Sequence, residues 1–189
     1  MTEPVPHGWT RRRLGDLLTI RNGAPFRSRH FNTHARGMPL IRIRDLRCGT
    51  QTTVHYDGPF DQRHRATRGD LLVSMDGEFR CHSWAGPDAL LNQRICKLQD
   101  FSPDVVPDFI GRGINLELAK IQETTHYTTV KHLSSAQIRD IELDFPSRIE
   151  QRRIVDKLHI AGRMLDELHG LRAANIATFH RLLTTALEE

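Results

Sequence analysis

Cysteine is scarce in this 189-residue chain: Cys48, Cys81 and Cys96 are the whole supply. An odd count without tight spacing argues against a disulfide scaffold and fits a reducing compartment, so the expected location is the cytoplasm. No apolar run approaches the ~20 residues needed to cross a bilayer. Residues 1–13 carry charge but no apolar stretch of a secretory signal. Internal repeats and low-complexity tracts are lacking. So are a glycine-rich phosphate loop, a methyltransferase cofactor motif and a catalytic tetrad of the Asn-Pro-Pro-Tyr type. These absences point away from an enzyme and leave no expected cofactor.

Lysine is also nearly missing: 23 of the 27 basic residues are Arg. The planar guanidinium can grip a phosphate or a guanine edge at two points. A GC-rich genome would give the same ratio, and both sources stay open for it. Neither explains the placement of charge. Residues 1–97 hold 16 Arg and Lys against 9 Asp and Glu, a net of +7, while residues 98–189 hold 11 against 14, a net of −3. A basic half of this kind is what a nucleic-acid surface needs. The apolar content of 38% is enough for one ordinary domain plus an appendage.

Along the chain, residues 9–18 read as a short helix or turn capped by Thr10, carrying Leu14, Leu17 and Leu18. Asn22-Gly23 marks a tight turn. Residues 38–44 alternate as a strand, with Ile41 and Ile43 on one face and Arg42 and Arg44 on the other. Residues 71–75 form another strand, closed by Asp76-Gly77, and 82–85 and 90–98 form two more. Residues 107–121 predict a helix that Gly111 and Gly113 weaken at its start. Ser134 and Gln137 have capping-box spacing, with Leu133 placed to staple onto Ile138. A last strand covers 141–145.

The C-terminal segment differs in kind. Ser147 and Glu150 form a second capping box after Pro146, and no proline follows. An apolar stripe runs Ile154, Leu158, Ala161, Leu165, Leu168, breaks at Arg172 and Asn175, and resumes at Phe179, Leu182 and Ala186. About 40 helical residues span roughly 60 Å, too long to bury against a domain of this size, so the stripe calls for a partner helix. The polar break would fix register. Two shorter helices hinged near Gly170 are the alternative. The expected layout is α+β: residues 1–146 as a mixed domain with a twisted, largely antiparallel sheet, then 147–189 as a long coiled-coil helix.

Laid out this way, the chain resembles the DNA specificity subunit of type I restriction-modification systems. The resemblance rests on Gly8-Trp9 with Leu14-Gly15-Asp16 and Asn22-Gly23, on the segments 39–46, 69–74 and 91–95, on 128–134 followed by Ile141 and Pro146, and on 150–155. Six weak pieces in order make a specific match. Family members usually hold two target-recognition domains and two spacer helices, where this chain shows one of each. The resemblance therefore implies a half-subunit, paired through its helix as a twofold homodimer on a palindromic, interrupted site of double-stranded DNA. It also implies a methyltransferase subunit as partner, with a restriction subunit as a further candidate, and no catalysis by the chain itself.

For DNA contact the candidates are Arg27, Arg29, Arg42, Arg44, Arg63, Arg65, Arg68, Arg80, His82 and Lys131. Most should touch phosphate, which gives affinity without sequence information, and a few should reach base edges. Glu150, Gln151 and Arg152 either meet the methyltransferase or simply cap and solvate the first turn. Catalytic and metal constellations are thin. His30 and His34 share a helical spacing but lie in a loop without a third ligand. Cys81-His82 with Cys96 lacks a paired spacing. Asp108 with Glu117 and Lys120 misses the nuclease pattern by one residue. A helix-mediated protein adaptor with a basic surface stays open as the other class of function.

Overall fold

A computed structural model of the chain describes residues 4–124 and 131–188, and the side chains in that range apart from 182, 183 and 185–188. Residues 128–130 of the family-like segment, and the side chains of Leu182 and Ala186, lie outside the described set. The chain divides into two compact units, 1–148 and 149–189.

The first unit has strands β1 (Thr10–Arg13), β2 (Thr19–Asn22), β3 (Phe31–Asn32), β4 (Met38–Ile41), β5 (His55–Tyr56), β6 (Arg65–Ala66), β7 (Leu71–Ser74), β8 (Cys81–Ser83), β9 (Ala89–Leu91), β10 (Ile95–Gln99) and β11 (Glu142–Phe145). Its helices are α1 (Ile43–Leu46), α2 (Pro107–Thr124) and α3 (Ser135–Asp140). Among the described residues the strands form three sheets, in the orders β1-β11, β2-β10-β7-β8 and β3-β5-β4-β9-β6. The pair β4/β9 is parallel and the other ladders are antiparallel. This is the expected α+β, largely antiparallel arrangement.

The continuous apolar run Leu71-Leu72-Val73 has its cause in the packing. Leu71 and Val73 join a core with Cys96, Leu98, Ile110, Ile114 and Leu118. Leu72 points the other way, into a second core with Ile41, Trp84, Leu91 and Ile95. A strand covered on both faces has no polar face to alternate with. Helix α2 sets Ile110, Ile114 and Leu118 on the sheet at helical spacing. It also closes the sheet edge. Asn115 Oδ1 accepts from Cys81 N at 2.8 Å, its Nδ2 donates to Cys81 O at 3.3 Å, and Gln122 Oε1 accepts from Phe79 N at 2.7 Å. Side-chain amides thus take the ladder groups that a further strand would take. The predicted cap of α3 is present: Ser134 Oγ accepts from Gln137 N at 3.2 Å, and Leu133 and Ile138 are both fully buried.

Four expectations change. Residues 10–13 are strand β1, not helix, because they pair with β11 and Arg11 forms a two-point bridge to Asp144 (2.7 and 2.9 Å). Leu14, Leu17 and Leu18 are buried as read, around a single 3-10 turn. The strand expected over 38–44 stops at Ile41. Asp45 Oδ2 accepts from Arg42 N at 2.9 Å and turns the chain into α1, a local bond that outcompetes the ladder. Arg42 and Arg44 therefore do not share a strand face. Asn22-Gly23 makes no tight turn: Gly23 lets two segments touch, since a Cβ there would sit 2.2 Å from Asn92 O. The strand read over 90–98 is two, β9 and β10, separated by a turn at residues 92–94.

The second unit is helix α4 (Arg148–Glu188), 41 residues and about 60 Å long. Its first residue follows Ser147, the expected capping position. It passes Gly170 without interruption, so the hinged pair of helices is not what forms.

Replacing Asn115 by Leu strands the Cys81 N–H and C=O. Urea unfolding should show a loss of roughly 1–3 kcal/mol, with a greater tendency to aggregate through the uncovered β8 edge. Unchanged stability would remove this account of the edge.

Candidate nucleic-acid interface

The basic residues sort into those held by carboxylates and those left open. Arg11, Arg12 and Arg13 pair with Asp144, Asp104 and Asp140, all from the acidic half of the chain. Part of the charge contrast seen along the sequence thus cancels in space. The Arg11 guanidinium holds the Asp144 carboxyl below its usual range.

Among the sequence candidates, Arg42 is internal: its Nε lies 3.3 Å from Asp45, which is buried and also accepts from Thr52 Oγ1 at 2.9 Å. Arg63 bonds Asp61 at 2.5 Å and holds that carboxyl down at about 2. Arg65 is divided between Gln62 (3.0 Å) and Asp88 (2.6 Å). Arg80 faces Glu78 at 3.8 Å. Lys131 donates to the Gln122 carbonyl near the end of α2. His82 is half-buried, and burial followed by the nearby Arg80 lowers its pKa, so it stays neutral at neutral pH. Arg27, Arg29, Arg44 and Arg68 are exposed and meet no carboxylate among the described residues. These four are the ones free to attract phosphate.

Arg27 and Arg29 sit on a built cleft. Tyr56 on β5 is buried beneath it, with Phe26 and Phe31 edge-on at 4.8 and 6.1 Å between ring centroids and His30 at 5.6 Å. Gly37, at φ +77°, brings its loop onto the Tyr56 backbone, where a Cβ would sit 2.1 Å from Tyr56 O. The resulting cleft of about 440 Å³ is lined by Phe26, Arg27, Arg29, His30, Phe60 and His64 among others. Loop 24–38 and segment 55–64 meet there, two stretches that nothing in their spacing connects.

A second polar cluster was missed in the sequence. Asp76 Oδ1 lies 2.6 Å from His132 Nδ1, and Asp76 Oδ2 lies 3.1 Å from Arg94. Positions 76, 94 and 132 share no motif, and only the sheet brings them together.

The other constellations disperse. His30 and His34 line different clefts, and His30 Nδ1 faces Asp57 at 3.3 Å. Lys120 and Glu117 pair with each other along α2 at 2.6 Å. Cys81 and Cys96 are buried, which pushes the Cys81 thiol far up and the Cys96 thiol up to about 12, against thiolate formation. Among the described residues no group of three or more His, Cys, Asp or Glu is placed to hold a metal ion. None of the described helices is long and apolar enough to cross a membrane.

On α4, Leu158, Leu165, Leu168 and Phe179 are exposed, the last two at 60% and 61%. Ala161 is exposed and Ile154 half-buried. The stripe is wider than it reads: Ile160, Met164, Leu171 and Ile176 are exposed too, and the last two flank Arg172 and Asn175. At the helix start Glu150 pairs with Arg153 at 3.0 Å, Gln151 is buried and Arg152 is exposed.

The model of the type I restriction modification DNA specificity domain matches residues 6–176, and the chain belongs to that family. It is 37% identical over 154 residues to the type I restriction enzyme EcoBI specificity subunit of Escherichia coli, covering 82% of this chain and 32% of that protein. Among solved structures, a chain from work on complex assembly and conformational transition of the type I R-M system matches at a TM-score of 0.75 and 20% identity, over 95% of this chain and 45% of that one. The HsdS subunit from Thermoanaerobacter tengcongensis matches at 0.71 and 18%, over 88% and 40%. The chain thus spans about a third of the curated relative and under half of each solved chain.

The thiols give a direct check of these burials. A maleimide at neutral pH should label Cys48, which is exposed, and reach Cys81 and Cys96 only after denaturation. Mass spectrometry showing all three labelled in the native protein would contradict it.

Proposed function

We propose that the chain is a non-catalytic reader of double-stranded DNA that directs a methyltransferase, and with it a restriction subunit where one exists, to a bipartite site. Residues 1–146 read DNA, and residues 147–189 form the spacer and dimerisation helix. The observation that carries this reading is the family match, which extends through the domain and well into α4. The open arginines support it, because phosphate attraction needs cations that the protein does not already neutralise. Arg27, Arg29, Arg44 and Arg68 hold the backbone. Arg42, Arg63, Arg65 and Lys131 serve mainly to shape the loops that present them.

The partner proposed for α4 is the α4 of a second copy. A helix about 60 Å long with apolar side chains exposed along its length is stable in water only with that stripe covered. A twofold pair would set two identical readers at a fixed separation on an interrupted palindrome. The methyltransferase would meet the start of the helix, where Arg152 is exposed. The reading places the complex in the cytoplasm.

Replacing Arg27 and Arg29 together by Ala should lower the slope of log affinity against log salt by about 2, about one per lost phosphate contact, and weaken all sequences alike. Fluorescence anisotropy on duplex DNA across salt concentrations measures this, and an unchanged slope takes the loop out of the interface. Leu168→Asp should weaken the dimer at least tenfold, about 1.4 kcal/mol, with the circular dichroism of the domain preserved. Sedimentation equilibrium reads it directly, and a monomeric wild type at tens of micromolar would sink the homodimer.

A further inference from the structure

We infer that one end of the four-stranded sheet reads base edges, with Asp76 as the positioning residue that aims Arg94 and His132. This rests on the DNA-reading proposal above and adds residues that the basic-loop candidates leave out.

All four strands finish or start at this end: β2 ends at Asn22, β7 ends at Ser74, β8 begins at Cys81 and β10 begins at Ile95. The segments beyond them are laced by backbone hydrogen bonds. Gly23 N donates to Ile95 O (2.8 Å), Met75 N to Arg94 O (3.0 Å), Gly77 N to Lys131 O (3.1 Å) and Leu133 N to Met75 O (2.7 Å). Asp76 and His132 face each other in an antiparallel bridge. Side chains on such a mount start from a hydrogen-bonded backbone, and reading a base edge needs side chains held in place.

The polar groups are oriented as well as fixed. Asp76 Oδ1 holds His132 Nδ1 at 2.6 Å and accepts a long bond from Arg94 Nη1 at 3.4 Å, with Oδ2 3.1 Å from the same guanidinium, and the carboxylate is 18% exposed while Arg94 and His132 are 50% and 53% exposed. With Nδ1 committed to Asp76, the His132 ring presents Nε2 on its other side. Arg94 keeps guanidinium N–H groups to spare, because the fork carries five. Asn22 Oδ1 accepts from Ser135 Oγ at 2.7 Å, which leaves the amide nitrogen as its remaining donor. Gln93, beside Arg94, is exposed and makes no hydrogen bond among the described residues.

The chemistry favours bases over phosphates. An Arg already neutralised by a carboxylate releases few counterions, and Asp76 itself repels a phosphate. The directional N–H groups survive that neutralisation. Arg, Gln and Asn are the side chains that match guanine N7 and O6 and adenine N6 and N7 in the major groove.

Selection of bound sequences from a randomised duplex library, by the full chain and its variants, tests this. The wild type should recover a motif. Arg94→Ala should recover it with one or two positions degenerate, bind the wild-type motif about 5- to 150-fold more weakly (roughly 1–3 kcal/mol), and keep the wild-type salt slope on unrelated DNA. Asp76→Asn should relax the same positions, an effect that a purely structural role, weakening every sequence alike, would not give. An unchanged motif from Arg94→Ala, or a uniform loss with a shallower salt slope, overturns this inference alone. A wild type that binds DNA without recovering any motif overturns sequence reading, and this inference with it. Both substitutions change half-exposed or partly exposed polar groups, and a thermal melt confirms that the variants are folded.

Discussion

Leu71, Leu72 and Val73 have to be kept from water on both faces of β7, because the strand lies between two cores. That requirement organises the reading domain. One face takes α2 and the leucines that follow β1; the other takes β4, β9 and Trp84. With both faces of β7 covered, the two polar clusters described above lie elsewhere: one at the sheet end around Asp76, the other on the loops around Tyr56. Burial therefore limits where exposed polar groups can gather before any arginine is considered.

Electrostatics then sorts the arginines. A guanidinium within reach of a carboxylate orders the protein, whereas one without such a partner can attract a phosphate. Arg11, Arg42 and Arg63 fall in the first group and Arg27, Arg44 and Arg68 in the second, although they look alike in the sequence. The Arg11–Asp144 bridge ties the first strand of the domain to its last. Arg42 gives up a strand position to cap a helix. Arg94 stands between the groups, since its carboxylate neutralises the charge but leaves the geometry of the fork in use.

The long helix follows a different rule. Its apolar side chains lie exposed along α4, and Leu171 and Ile176 carry the stripe past Arg172 and Asn175. Apolar surface therefore continues beside that polar pair. A helix of this length extends about 60 Å, at a rise of about 1.5 Å per residue.

The sequence by itself determined what depends on local pattern. The cap at Ser134, the helical faces of α2 and α4 and the strand that starts at Leu71 follow from short-range pattern, and the family resemblance from six short segments in order along the chain. Tertiary structure alone decided what depends on distant partners. Residues 10–13 look helical until β11 pairs with them, and Ile41-Arg42-Ile43-Arg44 alternates like a strand although Asp45 turns it into a helix. Gly23 looks like a turn residue until Asn92 is seen against it. The candidate site divides in the same way: a basic half is visible in composition, but which cations are free depends on carboxylates up to 133 positions away. The grouping of Asp76, Arg94 and His132 has no sequence signature, because a β-sheet joins residues through backbone hydrogen bonds that are indifferent to side-chain identity.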